Sequence, residues 1–328
     1  MTADLPAPRG PLSEALLDVL RGPAGTPAAA EALAAAPAAD DPFGDDLHLA
    51  LHLCYELHYQ GLTGVDGGWE WDPALLGLRA AMERTFLAEL RDGTPGKDVD
   101  DVLDALLIEH LDARGASHHL RDKGEMWQMR EYLAHRSIYQ LKESDPQAFA
   151  VPRLTGAPKA ALAAVQYDEF GGGRADRMHA RLFADLMEET DLDPSYGAYV
   201  NVVPAPMLAI TNMMSLFALH RALRGAILGH FAVLEITSSP GSERMCRALR
   251  RLGVAERGVR FYAEHVEADA VHEQVLRRDV IGGLLDAEPE LAPDVALGAE
   301  ATVLLEERLD DHLLGCWDAS RTSLLRPL

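Results

Sequence analysis

Apolar residues recur along most of this chain at steps of three and four, the signature of helices with one buried face. A short helix is predicted near 12–21, followed by the Ala/Pro-rich connector "RGPAGTPAAAEALAAAPAADDP". A helix opens at Asp45 with "DDLHLALHLCYELHYQGL". Others are expected over 71–93, 98–115 and 124–149, the last ending near Asp145-Pro146. Residues 157–192 read as helical at both ends around Gly171–Gly173. Residues 204–239 form one long apolar helix or a broken pair, and 241–253, 257–287 and 294–317 complete the set. No stretch alternates with period two between hairpin turns, so the fold class is all-α. Two parts are expected: an N-terminal helix with its connector (1–44), and one helical unit (45–328) in which 45–115 is a candidate accessory or dimerisation part.

Composition narrows this only a little. The 328 residues are 48% hydrophobic and 6% aromatic, rich in the strong helix formers Ala and Leu. A formal net charge of −22 repels phosphate backbones, so no nucleic-acid partner is expected, while cationic small molecules suit such a surface. Three cysteines without a CxxC pair fit a reducing compartment. The N-terminus "MTADLPAPRGPL" has neither a basic start nor an apolar stretch, so no signal peptide is expected. The longest apolar run, "GAILGHFAVLEI", contains His230 and Glu235 and is too short for a bilayer. A cytoplasmic protein without membrane attachment is the expectation.

The candidate chemistry lies in "FYAEHVEADAVHEQV". His265, Asp269 and His272 fall within about 60° of arc on a helix, so they share one face. That stripe can hold a metal or form a buried His–Asp hydrogen-bond network. Asp176 and His179 are spaced as a carboxylate-x-x-His pair, Glu169 precedes Asp176 by seven residues, and Glu143 sits near the end of the helix beginning at 124. Facing helices of bundles build dinuclear iron sites from such donors. Taken singly, the Asp-x-x-His pair, Glu169 and Glu143 also read as solvated or capping residues. The glycines between Glu169 and Asp176 are a plain loop or a loosened segment. His48, His52 and Glu56 repeat at i, i+4, i+8 and are read as a surface or interface face. His118, His119, Glu109 and Asp112 are expected to be exposed. Cys246, between Arg244 and Arg247, is read as a packed or surface thiol whose arginines would lower its pKa.

"YQLKESDP", "VQYDEFGGGRADRMHARLF", "MMSLFALHRALRGAILGHF" and "FYAEHVEADAVHE" resemble the haem-oxygenase-like diiron oxidases and oxygenases, a family of iron-containing redox enzymes. The resemblance covers roughly 120–280 and is closest in motif to the diiron N-oxygenases. It implies a haem-oxygenase-like helical bundle with extra N-terminal helices. It implies metal ligation by Glu143, Glu169, Asp176, His179, His265, Asp269 and His272. Glu143, His179 and His272 would hold one iron, Glu169, His265 and Asp269 the other, with Asp176 bridging. Asp176 stands where these N-oxygenases commonly have glutamate. Two iron ions, O₂ as co-substrate and an external reductant are implied, as is a homodimer with the N-terminal helices as candidate interface. The implied reaction is N-oxygenation of a small amine-bearing metabolite to an N-hydroxy or nitro product. Oxidative C–C cleavage or desaturation of an amino or fatty acid, a non-catalytic iron-binding protein and a metal-free helical relative are the alternatives.

Overall fold

A computed structural model describes residues 2–38, 41–109 and 113–328. Among the described residues there is no strand; a single parallel bridge joins Ala3 to Leu62. The N-terminal helices are α1 (Pro11–Leu20), α2 (Pro27–Ala34), α3 (Asp45–Glu56) and α4 (Pro73–Asp92). Their starts follow local chemistry. Thr26 caps α2, and Asp72 accepts from the Ala74 and Leu75 amides ahead of Pro73. The first amides of α1 are capped from another helix, because Asp46 accepts from Leu12 and Ser13 at 2.9 and 2.7 Å. Leu12, Leu16, Leu17 and Leu20 on α1 join the same buried core as the rest of the chain.

Helix α5 (Val99–Leu106) is shorter than the expected 98–115, part of which lies outside the described residues. After α6 (Ala116–Asp122), α7 (Met126–Gln140) opens with a capping box between Glu125 and Gln128. It stops at Gln140, earlier than expected, and a turn over 141–144 leads into the single turn α8 (Asp145–Ala148). Then come α9 (Gly156–Glu169), α10 (His179–Glu189), α11 (Ala205–Leu219) and α12 (Arg224–Arg251). The chain ends with α13 (Glu256–Gln274), a π-helical stretch Val275–Gly282, α14 (Gly283–Ala287) and α15 (Ala292–Asp318).

Helix α12 is the axis of the bundle, packed against both α13 and α15. Its first three turns are buried on all sides, as their near-continuous apolar run requires. It crosses α15 with backbones almost touching. A Cβ added to Gly229 would stand 1.9 Å from the Val295 carbonyl oxygen, and one added to Gly298 would stand 1.9 Å from that of Ala226. Helix α12 also runs through Pro240, where a break was expected. Proline removes one helical hydrogen bond and costs about 3 kcal/mol, but packing on two neighbouring helices carries α12 past it. No described helix is long and apolar enough to cross a membrane.

Candidate metal centre

Seven buried donors converge between α7, α9, α10, α12 and α13. Ligating atoms of Glu143, Glu169, His179 and His265 lie within 4.8 Å of one another, and so do those of Glu169, Glu235, Asp269 and His272. Glu169 belongs to both groups. One of its oxygens, Oε2, lies 2.9 Å from His179 Nδ1, while Oε1 lies 3.6 Å from His272 Nδ1. The two carboxylate oxygens therefore serve different sides of one centre.

Each donor has a local reason for its position. His265, Asp269 and His272 fall on one face of α13, as their spacing requires. Glu143 is on the turn after α7; there Lys142 reaches away to Glu56 while Glu143 reaches the centre. The turn is anchored by a buried hydrogen-bond relay. Gln166 of α9 donates to Ser144 Oγ at 2.8 Å, Ser144 to Gln147 at 3.3 Å, and Gln147 to Tyr139 OH at 3.0 Å. Glu169 ends α9 and His179 begins α10. They are brought together by Gly171, Gly172 and Gly173, whose φ values of 71°, 61° and 77° reverse the chain. At Gly171 an added Cβ would lie 2.6 Å from the Arg177 and Met178 backbone. The glycines are thus a tight connection, the plainer of the two expected readings.

This reversal changes the place of Asp176. The expected common helix face for Glu169, Asp176 and His179 needs continuous helix, and the chain is not helical there. Asp176 sits on a 3₁₀ turn, Ala175–Arg177, with its side chain 71% exposed and Arg174 at 3.7 Å. It is in neither donor group. Six of the seven expected residues converge, and the grouping differs from the expected one: His179 and His265 stand with Glu143, and His272 stands with Asp269. Glu235 of α12 completes the second group and was not singled out from the sequence. The available signal was a lone carboxylate within the apolar run "GAILGHFAVLEI", where an unpaired buried charge is costly.

The electrostatics of the centre follow from crowding, since its carboxylates and imidazoles face one another with no lysine or arginine paired to them among the described residues. Burial pushes the Glu143 carboxyl upward, and burial with Asp269 and Glu169 nearby pushes Glu235 well above the carboxylate range. Burial alone would lower His265 and His272, but the facing carboxylates prevail. His265, with Glu143 at 3.5 Å, is raised well above its ordinary value, and His272, beside Asp269 and Glu235, is raised to about 11. Asp269 is also buried, yet its imidazole partners hold it low.

Unused atoms support a metal fit. Glu169 Oε1, His179 Nδ1, Glu235 Oε2, His265 Nε2, Asp269 Oδ2 and His272 Nδ1 are buried without an aligned hydrogen-bond partner. Meanwhile the other nitrogens of two histidines are fixed: His265 Nδ1 donates to the Phe261 carbonyl at 2.7 Å, and His272 Nε2 lies 3.3 Å from Asp168 Oδ2. Such outer contacts set the tautomer and aim the remaining lone pair inward. Oxygen and imidazole donors of this kind suit iron or manganese. Four carboxylates against two divalent cations would leave the centre neutral. A cavity of about 30 Å³ lies among Glu143, Glu169, Glu235, His265 and Asp269. A larger one of about 280 Å³ is lined by Glu143, His265 and Tyr139 and extends away between α7, α12, α13 and α15.

The other expected positions fall elsewhere. His48, His52 and Glu56 are buried, not on a surface face, because α3 packs against α11 and α4. Asn212 donates to His48 Nδ1 and to its carbonyl, while Lys142 and Tyr196 bind Glu56. His118 is half-buried with Glu109 at 3.1 Å, and His119 is 3.2 Å from Gln128. Asp112 lies outside the described residues. Cys246 is buried, and burial raises its thiol pKa, outweighing Arg250, while the flanking Arg244 and Arg247 are engaged by Glu109 and Glu243.

A search of curated proteins finds no match. The profile of the family described as iron-containing redox enzymes, of haem-oxygenase-like fold, matches residues 130–307, which include all seven converging donors. With more than half of its length inside that profile, the chain belongs to the iron-containing redox enzyme family, a family of oxidoreductases.

Proposed function

We propose that this protein is an O₂-dependent non-haem diiron oxygenase that N-oxygenates a small amine-bearing metabolite to an N-hydroxy or nitro product, with electrons from an external reductant. The observation that carries the dinuclear reading is Glu169, whose two oxygens face separate donor groups. Glu143, His179 and His265 would hold one ion; Glu235, Asp269 and His272 the other; and Glu169 would bridge. Bound iron supplies the redox chemistry by which O₂ is activated.

The chain's own residues prepare that chemistry. The Phe261 carbonyl keeps the proton of His265 on Nδ1, so Nε2 points inward as a lone pair. Asp168 orients His272 in the same way. The Gln166–Ser144–Gln147–Tyr139 relay holds the turn bearing Glu143. Burial of every donor excludes bulk water. The adjoining 280 Å³ chamber favours an enzyme over a storage protein, which has no need of a substrate-sized space at its centre. The motif resemblance, in which Glu169 matches an additional glutamate of the N-oxygenases, supports the N-oxygenase over the C–C lyase or desaturase.

The test is anaerobic Fe(II) titration of the metal-free protein, followed by rapid mixing with O₂. Two Fe(II) per chain and a transient visible band that responds to added amine are expected. Product mass then reads the reaction: oxygen gained on nitrogen supports N-oxygenation, whereas loss of hydrogen or of a carbon fragment overturns it. Mineralised iron without a substrate-responsive band overturns the enzyme reading altogether.

A further inference from the structure

The 280 Å³ chamber begins at the metal centre, and its remote end has a definite charge. Tyr139, Arg136 and Tyr132 line it at successive turns of α7, so it follows the helix for roughly 10 Å away from Glu143. Helix α15 reaches α7 through side chains, in opposite chain order. Its Glu306 meets Arg136, and its later residue Trp317 meets the earlier α7 residue Glu131. Asp310, one turn beyond Glu306, therefore lies at the end remote from the metal donors.

The charges lining the chamber can be paired off. Arg136 is held by both Glu306 oxygens at 2.8 and 2.6 Å. Arg244 is held by both Glu109 oxygens at 2.8 and 3.0 Å and by Ser117 at 2.9 Å. Asp310 has no cationic partner within 4.0 Å among the described residues. Its Oδ1 accepts from the Ala116 amide at 3.2 Å, which caps α6; no donor is assigned to Oδ2. The remote end thus holds a half-buried carboxylate that no cation contacts, its nearest positive charge being Arg136, which Glu306 already engages, and an ion pair there is stronger than on an open surface.

We infer that the substrate is dibasic: one nitrogen is presented to the metal centre, and a second, protonated one binds Asp310 at the remote end of the chamber. Asp310 is then the specificity-determining residue. This inference rests on reading the metal centre as the place where an amine is oxidised, but it concerns binding and can be tested without turnover. Burial and the neighbouring Glu306 push its carboxyl up to about 6, against the opposing pull of Arg136 and the Ala116 amide. The acidic net charge of the chain draws cations toward such a site.

Calorimetry on the Fe(II)-loaded protein without O₂ would compare linear α,ω-diaminoalkanes with 1-aminoalkanes of matched length. We expect a diamine long enough to span the chamber to bind tenfold or more tightly than its monoamine. Asp310→Asn keeps an acceptor for the Ala116 amide and removes the charge, so it should abolish that preference. Asp310→Glu should retain it. Equal binding of diamine and monoamine, or a preference that survives in Asp310→Asn, overturns the inference. A preference that depends on Asp310, with no N-oxygenated product once O₂ is added, supports the inference and sinks the N-oxygenase reading instead.

Discussion

Two buried clusters in this protein are built from the same side chains and do opposite things with them. One is the α3 cluster of His48, His52 and Glu56, the other the convergence around Glu169. Both place histidine and carboxylate at helical spacings, and both are almost closed to water. In the α3 cluster, Glu56 is paired with Lys142 and accepts from Tyr196, while Asn212 satisfies His48 Nδ1. Around Glu169 the inward-facing donor atoms meet one another, and no lysine or arginine among the described residues pairs with them. Proton affinities diverge accordingly. Burial drives His48 down to about 3 and His52 to about 4, whereas facing carboxylates drive His272 up to about 11. One unpartnered atom of the α3 cluster, His48 Nε2, lies in a ring 4.8 Å from Phe86 and joins no group of three ligating residues among those described. Spacing, then, does not separate a metal centre from a polar core; the presence or absence of protein counter-charge does.

The sharpest way to break this comparison is to remove one carboxylate from each cluster. Glu169→Gln should abolish binding of both metal ions, because each donor group loses a shared member. Glu235→Gln should cost one ion of the two. Glu56→Gln should leave metal stoichiometry unchanged and destabilise the fold by about 3–5 kcal/mol, since Lys142 is left buried without its partner. Metal analysis after Fe(II) loading and urea unfolding of the same proteins would check all three. Loss of metal in Glu56→Gln with full retention in Glu169→Gln would reverse the two assignments.

What could be read from the sequence follows the same physics. The helices were legible where punctuation and apolar period agree: α3 opens at Asp45 and α4 at Pro73 behind its Asp72 cap, as expected. The stripe of His265, Asp269 and His272 was legible because all three lie on one uninterrupted helix. Asp176 was not, because a run of left-handed glycines destroys the angular register from which its face was inferred. Glu143 lies on a turn, to which no periodicity applies. Glu235 has no partner on its own helix; its donors come from α9 and α13, so only the packing of α12 assembles them. The burial of His48 and His52 likewise depends on α11, which lies more than 150 residues further on.

A pH experiment sharpens the contrast with a smaller effect. His48 is neutral in the folded protein, with its pKa depressed from 6.5 to about 3. Below pH 6.5 the unfolded chain binds a proton that the folded chain refuses, so stability falls as pH falls. This loss should reach roughly 2 kcal/mol between pH 7 and pH 5 for one such histidine. In His48→Gln, which still accepts from Asn212, that part of the loss should vanish. Urea unfolding at the two pH values would measure the difference, and identical pH dependence in both proteins would show that His48 is not held neutral.

The smallest expected effect concerns Asp176, the residue whose place differs most from its expected one. Its carboxylate is exposed and lies 3.7 Å from Arg174, a weak surface contact. Neither donor group includes it, although it is only three residues from His179. Asp176→Asn should therefore leave metal stoichiometry intact and change stability by less than about 0.5 kcal/mol. Side-by-side metal titrations of Asp176→Asn and Glu235→Gln isolate the question, since each removes one charge and little volume. Should Asp176→Asn lose an ion while Glu235→Gln keeps both, the loop after the glycines must refold on metal binding to carry Asp176 inward, and the bridging role assigned to Glu169 would pass to Asp176.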